Sequence, residues 1–218
     1  MPIRVKICGI QSMVDAQICI NAGAHAVGFL VGVTHETEDE ILPDQCKGIV
    51  EKMPPFVSKV LVTHLMDPSE IISMAKFTGV DTVQLHEDLP TERLIPVRLA
   101  MPWLRLVKAL HVHGTEEECI ERALELEQHV DALLVDTKAA SRVGEKALTH
   151  TWRLSAEIGG ALAKPLILSG GLNPENLEEA LKMVKPYAVD VNSGVEDKDG
   201  RKDLEKVRAF IRIVRRAV

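Results

Sequence analysis

The sequence predicts a single-domain α/β fold, a (β/α)8 barrel of the TIM type spanning residues 1–218. Three observations predict it. Short aliphatic runs alternate with longer amphipathic ones along the whole chain, the pattern of parallel strands joined by outer helices. Aromatic residues make up only 3% of the composition, so the core must be aliphatic, as in sheets buried on both faces. Eight strand–helix units within this length favour closure over an open doubly wound sheet.

Taken in order, the strands are expected over 3–8, 26–31, 57–63, 82–85, 104–109, 132–136, 165–169 and 188–192. The first starts almost at the N-terminus, and Met1-Pro2-Ile3-Arg4-Val5-Lys6 reads as a strand with flanking charge, not as a signal peptide. Helical periodicity marks 13–21, 68–77, 116–128, 174–183 and 204–214, and the remaining connections leave room for a helix. The segment 90–102, broken by Pro90, Pro96 and Pro102, predicts the weakest helix. In the seventh unit, Asn173 is a candidate N-cap with Pro174 at the first helical position.

Composition bounds the function. A 46% hydrophobic, 27% charged chain with net charge −6 lacks the basic face of a nucleic-acid binder. It also has no apolar run near the roughly 20 residues of a membrane span. Cys8, Cys19, Cys46 and Cys119 lie far apart without a C-x-x-C pair, which suits free thiols in a reducing cytoplasm.

A β/α barrel carries its chemistry at the C-terminal ends of its strands. Those positions hold Cys8, the loop 32–42, Thr63-His64, Gln84-Leu85-His86, Lys108, Asp136, Ser169-Gly170-Gly171 and Asn192-Ser193-Gly194. Tight glycine turns after strands seven and eight predict a phosphate cradle from Gly170, Gly171, Ser193 and Gly194, because exposed backbone N–H groups ahead of a helix favour an anion. Cys8 and Asp136, facing one another across the mouth, suit a division of base and acid work. That division requires an accessible thiolate and a carboxyl kept protonated by burial.

The segments Val5-Lys6-Ile7-Cys8-Gly9-Ile10, Val83-Gln84-Leu85-His86, Leu133-Leu134-Val135-Asp136-Thr137, Leu168-Ser169-Gly170-Gly171-Leu172-Asn173-Pro174 and Val189-Asp190-Val191-Asn192-Ser193-Gly194-Val195-Glu196 together resemble phosphoribosylanthranilate isomerase. The resemblance runs in order through nearly the whole chain. It implies a cofactor-independent aldose–ketose isomerase of tryptophan biosynthesis. The implied reaction is the Amadori rearrangement of N-(5-phosphoribosyl)anthranilate to 1-(2-carboxyphenylamino)-1-deoxyribulose 5-phosphate. By the same resemblance, Cys8 is the general base at C2 of the sugar and Asp136 the general acid at the ring oxygen. Gln84, His86 and Asp190 line the substrate site. The implied partner is a small-molecule phosphosugar, bound by a cytoplasmic monomer or homodimer with no nucleic acid, membrane or metal.

Two loops depart from the family pattern. After the second strand the family carries a cationic loop, whereas Gly32-Val33-Thr34-His35-Glu36-Thr37-Glu38-Asp39-Glu40 has four acids and no Lys or Arg. Its glutamates Glu38 and Glu40 read as a solvated tip. After Asp136, Lys138-Ala139-Ala140-Ser141-Arg142-Val143-Gly144 replaces a glycine-rich lid, and Arg142 or Lys138 is the candidate cation for the anthranilate carboxylate. Histidines near strand ends, His35, His64, His86 and His111 or His113, with Asp136 also offer a metal-ligating alternative. The alternative function is a divergent isomerase or epimerase acting on another phosphosugar, with or without a metal.

Overall fold

The computed structural model describes residues 2–34, 37–112, 114–137 and 145–217, with the backbone alone for 145–147. The strands are β1 (Arg4–Ile7), β2 (Ala26–Leu30), β3 (Ser58–Thr63), β4 (Thr82–Leu85), β5 (Arg105–His111), β6 (Ala132–Asp136), β7 (Leu166–Ser169) and β8 (Ala188–Val191). All pair in parallel with their sequence neighbours, and β8 returns to β1 through Arg4↔Ala188 to Ile7↔Val191, closing the barrel. The predicted fold class is the observed one.

The outer helices are α1 (Met13–Ala22), α2 (Pro43–Val50), α3 (Pro68–Thr78), α4 (Leu94–Ala100), α5 (Glu116–Glu127), α6 (Glu145–Ala161), α7 (Leu177–Val184) and α8 (Leu204–Arg216). Their starts follow the local chemistry. Ser12 caps α1 by accepting from Asp15 N, Asp67 caps α3 ahead of Pro68, and Thr115 and Glu118 form a reciprocal capping box on α5. The Pro-broken segment is a 3-10 turn (Thr91–Arg93) followed by the seven-residue α4. Pro96 is tolerated there because it lies in the first turn, where its missing N–H has no helical partner.

Most elements shift at one end or both by one or two residues from expectation, and three differences matter for the site. Strand β5 runs on to His111, which places that histidine at the barrel rim. Helix α7 begins at Leu177, not at Pro174. The Asn173 side chain accepts from the N–H groups of Glu175 and Asn176, and its carbonyl accepts from Leu177 N–H, so Asn173 caps a turn over 174–176 that leads into the regular helix. The 17-residue α6 fills a connection for which the sequence left room for a helix without marking one.

The main apolar core lies between the strands and helices. It contains Val5, Ile7, Phe29, Val83, Leu133, Leu168 and Val189, on alternate strand positions, together with helix residues such as Ile71, Ala123 and Phe210. The other strand face points into the barrel. There Val107, Ala109, Ala132 and Leu134 form one small cluster, and Cys8, Val60 and Val62 form another. The period of two therefore decides which residues reach the lumen. Lys6 is on the lumen face with Cys8 and is buried, so the expected flanking charge is an interior one. Lys108 alternates with Val107 and Ala109 and leaves on the helix side, where its Nζ donates to Ala109 O. It belongs to the wall of the barrel, not to the mouth.

Candidate active site

The C-terminal mouth holds a cavity of about 380 Å³. Its walls are Cys8, Leu30, Val33, Thr37, Asp39, Val62, His64, Gln84, His86, Asp136, Ser169, Gly170, Gly171, Leu172, Asp190, Val191, Asn192 and Ser193. Cys8, Asp136, Gln84, His86, Asp190, Gly170, Gly171 and Ser193, all read from the sequence, thus converge on one space. A larger hollow of about 780 Å³ lies at the opposite end of the barrel, between Ile3, Lys185, Pro186 and Arg216, away from every one of these residues.

Cys8 is at the end of β1, above a buried ion pair. Lys6 Nζ lies 2.8 Å from Asp190 Oδ2, with both side chains almost wholly enclosed. Gly28, on the neighbouring strand, makes room for this arrangement. A Cβ there would come within 2.8 Å of Cys8 Sγ and 3.0 Å of Lys6 Nζ, so thiol and ammonium crowd one spot. Burial pushes the Cys8 thiol up, and the Asp190 charge adds to this, while Lys6 and then Lys202 pull it down; the thiol stays above its ordinary range. Burial also lowers Lys6, but the charges of Asp190 and Cys8 outweigh it and hold the ammonium above its ordinary value. The open, accessible thiolate expected from the sequence is therefore an enclosed thiol beside a fixed cation.

Asp136 closes β6, with its side chain 13% exposed and its Oδ2 3.8 Å from His86 Nε2. His86 stacks on His64 with ring centres 5.2 Å apart and meets His111 edge-on at 4.8 Å. Burial, then the neighbouring His111 and His64, lower His86 to about 3, so it is a neutral imidazole at physiological pH. His64 itself is buried and accepts from Thr34 N–H through Nδ1, tying the β3 end to the loop after β2. His35, His113, Lys138 and Arg142 lie outside the described residues.

Four buried side-chain polar atoms lack a hydrogen-bond partner among the described residues. Gln84 Oε1, His86 Nδ1 and Asp190 Oδ1 are three of them, and all belong to residues lining the cavity. Unsatisfied buried atoms cost about 1–3 kcal/mol each, so their concentration here marks groups kept for a polar ligand. The fourth, Trp152 Nε1 in α6, has no structural explanation.

The two glycine turns meet. Gly170 and Gly171 have φ of +91° and +69°, a conformation that a side chain would strain. Thr137 Oγ1 donates to Ser169 O at 2.8 Å and Gly170 O at 2.6 Å, and Asn176 Nδ2 donates to Gly171 O at 2.9 Å. These bonds engage three successive carbonyls of that loop. After β8, Ser193–Val195 form a 3-10 turn, and Gly194 packs so closely that a Cβ would lie 1.9 Å from Leu172 O. The N–H groups of Gly171, Ser193 and Gly194 have no backbone partner among the described residues. Gly194 does not itself line the cavity; it lets the second loop reach the first.

The acidic loop after β2 is pinned across the mouth. Leu30 and Glu40 bridge its base, and Glu40 Oε1 accepts from Val33 N. Glu38 and Glu40 are exposed, as expected, but Asp39 turns inward and accepts from Asn192 Nδ2 at 2.7 Å and Gln11 Nε2 at 3.1 Å. Asn192 is held in turn by the buried Lys202, whose Nζ reaches Asn192 Oδ1 at 2.6 Å and Glu196 at 2.5 Å. The sequence reading missed Lys6, Asp39 and Lys202. Only Lys6 left a signal, its i, i+2 spacing from Cys8.

Comparison with known proteins agrees with this geometry. The family model described as N-(5'phosphoribosyl)anthranilate (PRA) isomerase matches residues 5–213. An N-(5'-phosphoribosyl)anthranilate isomerase of Methanocella arvoryzae is 42% identical over 97% of this chain and 98% of its own. The crystal structure of the phosphoribosyl anthranilate isomerase from Thermotoga maritima superposes with a TM-score of 0.83 at 37% identity, covering 97% of this chain and 98% of that one. A further isomerase structure, in complex with reduced 1-(o-carboxyphenylamino)-1-deoxyribulose 5-phosphate, matches with a TM-score of 0.80 at 34% identity, over 97% and 98% of the two chains. With the family model spanning both glycine loops, Cys8 and Asp136, the chain belongs to the N-(5'-phosphoribosyl)anthranilate isomerase family.

Proposed function

We propose that this isomerase carries out the Amadori rearrangement of N-(5-phosphoribosyl)anthranilate with Cys8 and Asp136 as its proton-transfer pair. The observation that carries the reading is their convergence on one cavity, beside unpartnered Gln84 and Asp190 atoms and the paired glycine turns. Asp136 donates a proton to the furanose ring oxygen, the C1–O bond breaks, and the nitrogen lone pair forms a C1=N bond. The Cys8 thiolate then removes the proton from C2; that electron pair forms the C1=C2 bond while the C1=N pair returns to nitrogen, leaving an enolamine. Tautomerisation puts a proton on C1 and a ketone at C2. Acid and base work of this kind contributes roughly 10²–10⁴-fold to rate.

Lys6 acts from beneath, holding a positive charge where the thiolate forms, while Asp190 fixes Lys6 and offers its second oxygen to the ligand. Gln84 and His86 orient the sugar. Backbone N–H groups of Gly171 and Ser193 grip the phosphate, with Gly170 shaping the first turn and Gly194 seating the second loop against it. The loop after β2 offers no cation to the anthranilate carboxylate, and we assign that contact to Arg142 on the chemistry of the sequence.

Complementation of a tryptophan auxotroph lacking this isomerase tests the reading. The wild-type chain should restore growth on minimal medium, and Cys8→Ala and Asp136→Asn, expressed to the same soluble level, should not. A soluble wild-type chain that fails to support growth would exclude the assigned substrate.

A further inference from the structure

The histidines at the ends of β4 and β5 converge on Asp136, and the isomerisation proposed above gives His111 no role in that grouping. One ligand atom from each of His86, His111 and Asp136 lies within 4.8 Å of the other two, and His86 Nε2 is already 3.8 Å from Asp136 Oδ2. A tetrahedral Zn²⁺ with bonds of about 2.0–2.2 Å spaces its ligands by roughly 3.3–3.6 Å, so small side-chain rotations close the site. His111 Nε2 lies 2.8 Å from His86 O, a carbonyl that accepts its proton and orients the ring. Fixing a tautomer through a carbonyl in this way is how metal-binding histidines are oriented. Stacking on His64 holds the His86 ring from its other side.

We propose that His86, His111 and Asp136 form a binding site for a zinc-class divalent cation on the wall of the active-site mouth. Two imidazoles and one carboxylate suit Zn²⁺ better than Mg²⁺ or Ca²⁺, which demand oxygen ligands. Three protein ligands leave the fourth position to water or ligand. A cation there takes the carboxylate assigned above to ring opening, so its consequence is reversible inhibition; that consequence, unlike the binding, rests on the proposed role of Asp136.

The test uses untagged full-length protein titrated with ZnCl₂, with binding followed by calorimetry and isomerisation assayed in parallel. One ion should bind per chain in the micromolar range, the rate should fall over the same range, and EDTA should restore it. His111→Gln should keep the rate measured without Zn²⁺, yet need at least about 10-fold more Zn²⁺ for half-saturation. Cys8→Ser should still bind one ion, and Co²⁺ used in place of Zn²⁺ should show no thiolate charge-transfer band. Binding that survives His111→Gln but disappears in Cys8→Ser places the ion on the thiol and overturns the site, as does absence of saturable binding. Binding that needs His111 while the rate stays intact upholds the site and counts against Asp136 as the acid.

Discussion

Within a few ångströms, Cys8 experiences burial that favours the thiol and a lysine that favours the thiolate. Burial is the larger effect, so the base form should gain population on the alkaline side, and kcat/KM should rise with pH through the Cys8 titration. Removing the Lys6 charge takes away the first of the opposing influences. Lys6→Met is therefore expected to move this limb of the kcat/KM profile up by about one pH unit or more, and Lys6→Arg to restore much of it. Breaking a buried pair costs about 3–5 kcal/mol, so the profile should be recorded where a thermal melt shows the variant folded. A folded Lys6→Met with an unmoved limb would separate Lys6 from the thiol. At this scale the sequence was partly legible. Cys8 and Asp136 could be read because each ends an aliphatic run, whereas Lys6 was misread because a charged residue in a short strand resembles a flank. Asp39 was hidden among four acids, since nothing local distinguishes the one that turns toward Asn192.

At the scale of elements, the proposed phosphate cradle depends on two loops sharing one contact. Gly194→Ala drives a Cβ into the carbonyl of Leu172, and backbone must move to relieve it. The KM for phosphoribosylanthranilate should rise roughly tenfold, about 1.4 kcal/mol, with a smaller change in kcat. Arg142→Ala should also raise KM, but it should leave inhibition by inorganic phosphate unchanged, whereas Gly194→Ala should weaken that inhibition. Equal phosphate inhibition in both variants and the wild type would remove the cradle from these loops. The glycine turns were legible because Gly-Gly after an aliphatic strand has few other uses. Helix α7 starts three residues beyond Pro174, because Asn173 and Asn176 cap a separate turn over 174–176 through reciprocal hydrogen bonds and the regular helix follows it.

For the whole molecule, the period of two along each strand does most of the positioning. It sends Val5, Ile7, Val83 and Leu133 to the helices and Lys6, Cys8, Gln84 and Asp136 to the lumen, so closure of the sheet gathers residues from distant parts of the chain. This made the fold legible end to end, with β4 and β6 bounded to the residue. The same rule corrects Lys108, which a strand-end position suggested for the mouth and which alternation sends outward. Enclosed there, Lys108 is pulled down to about 8, chiefly by burial. The central claim is that the barrel isomerises phosphoribosylanthranilate through Cys8 and Asp136. It is tested most directly by steady-state assay of the purified wild type, Cys8→Ala and Asp136→Asn on that substrate. The account predicts turnover by the wild type without added metal or cofactor, and kcat losses of roughly 10²–10⁴-fold in each folded variant. Near-wild-type kcat in either folded variant would contradict it.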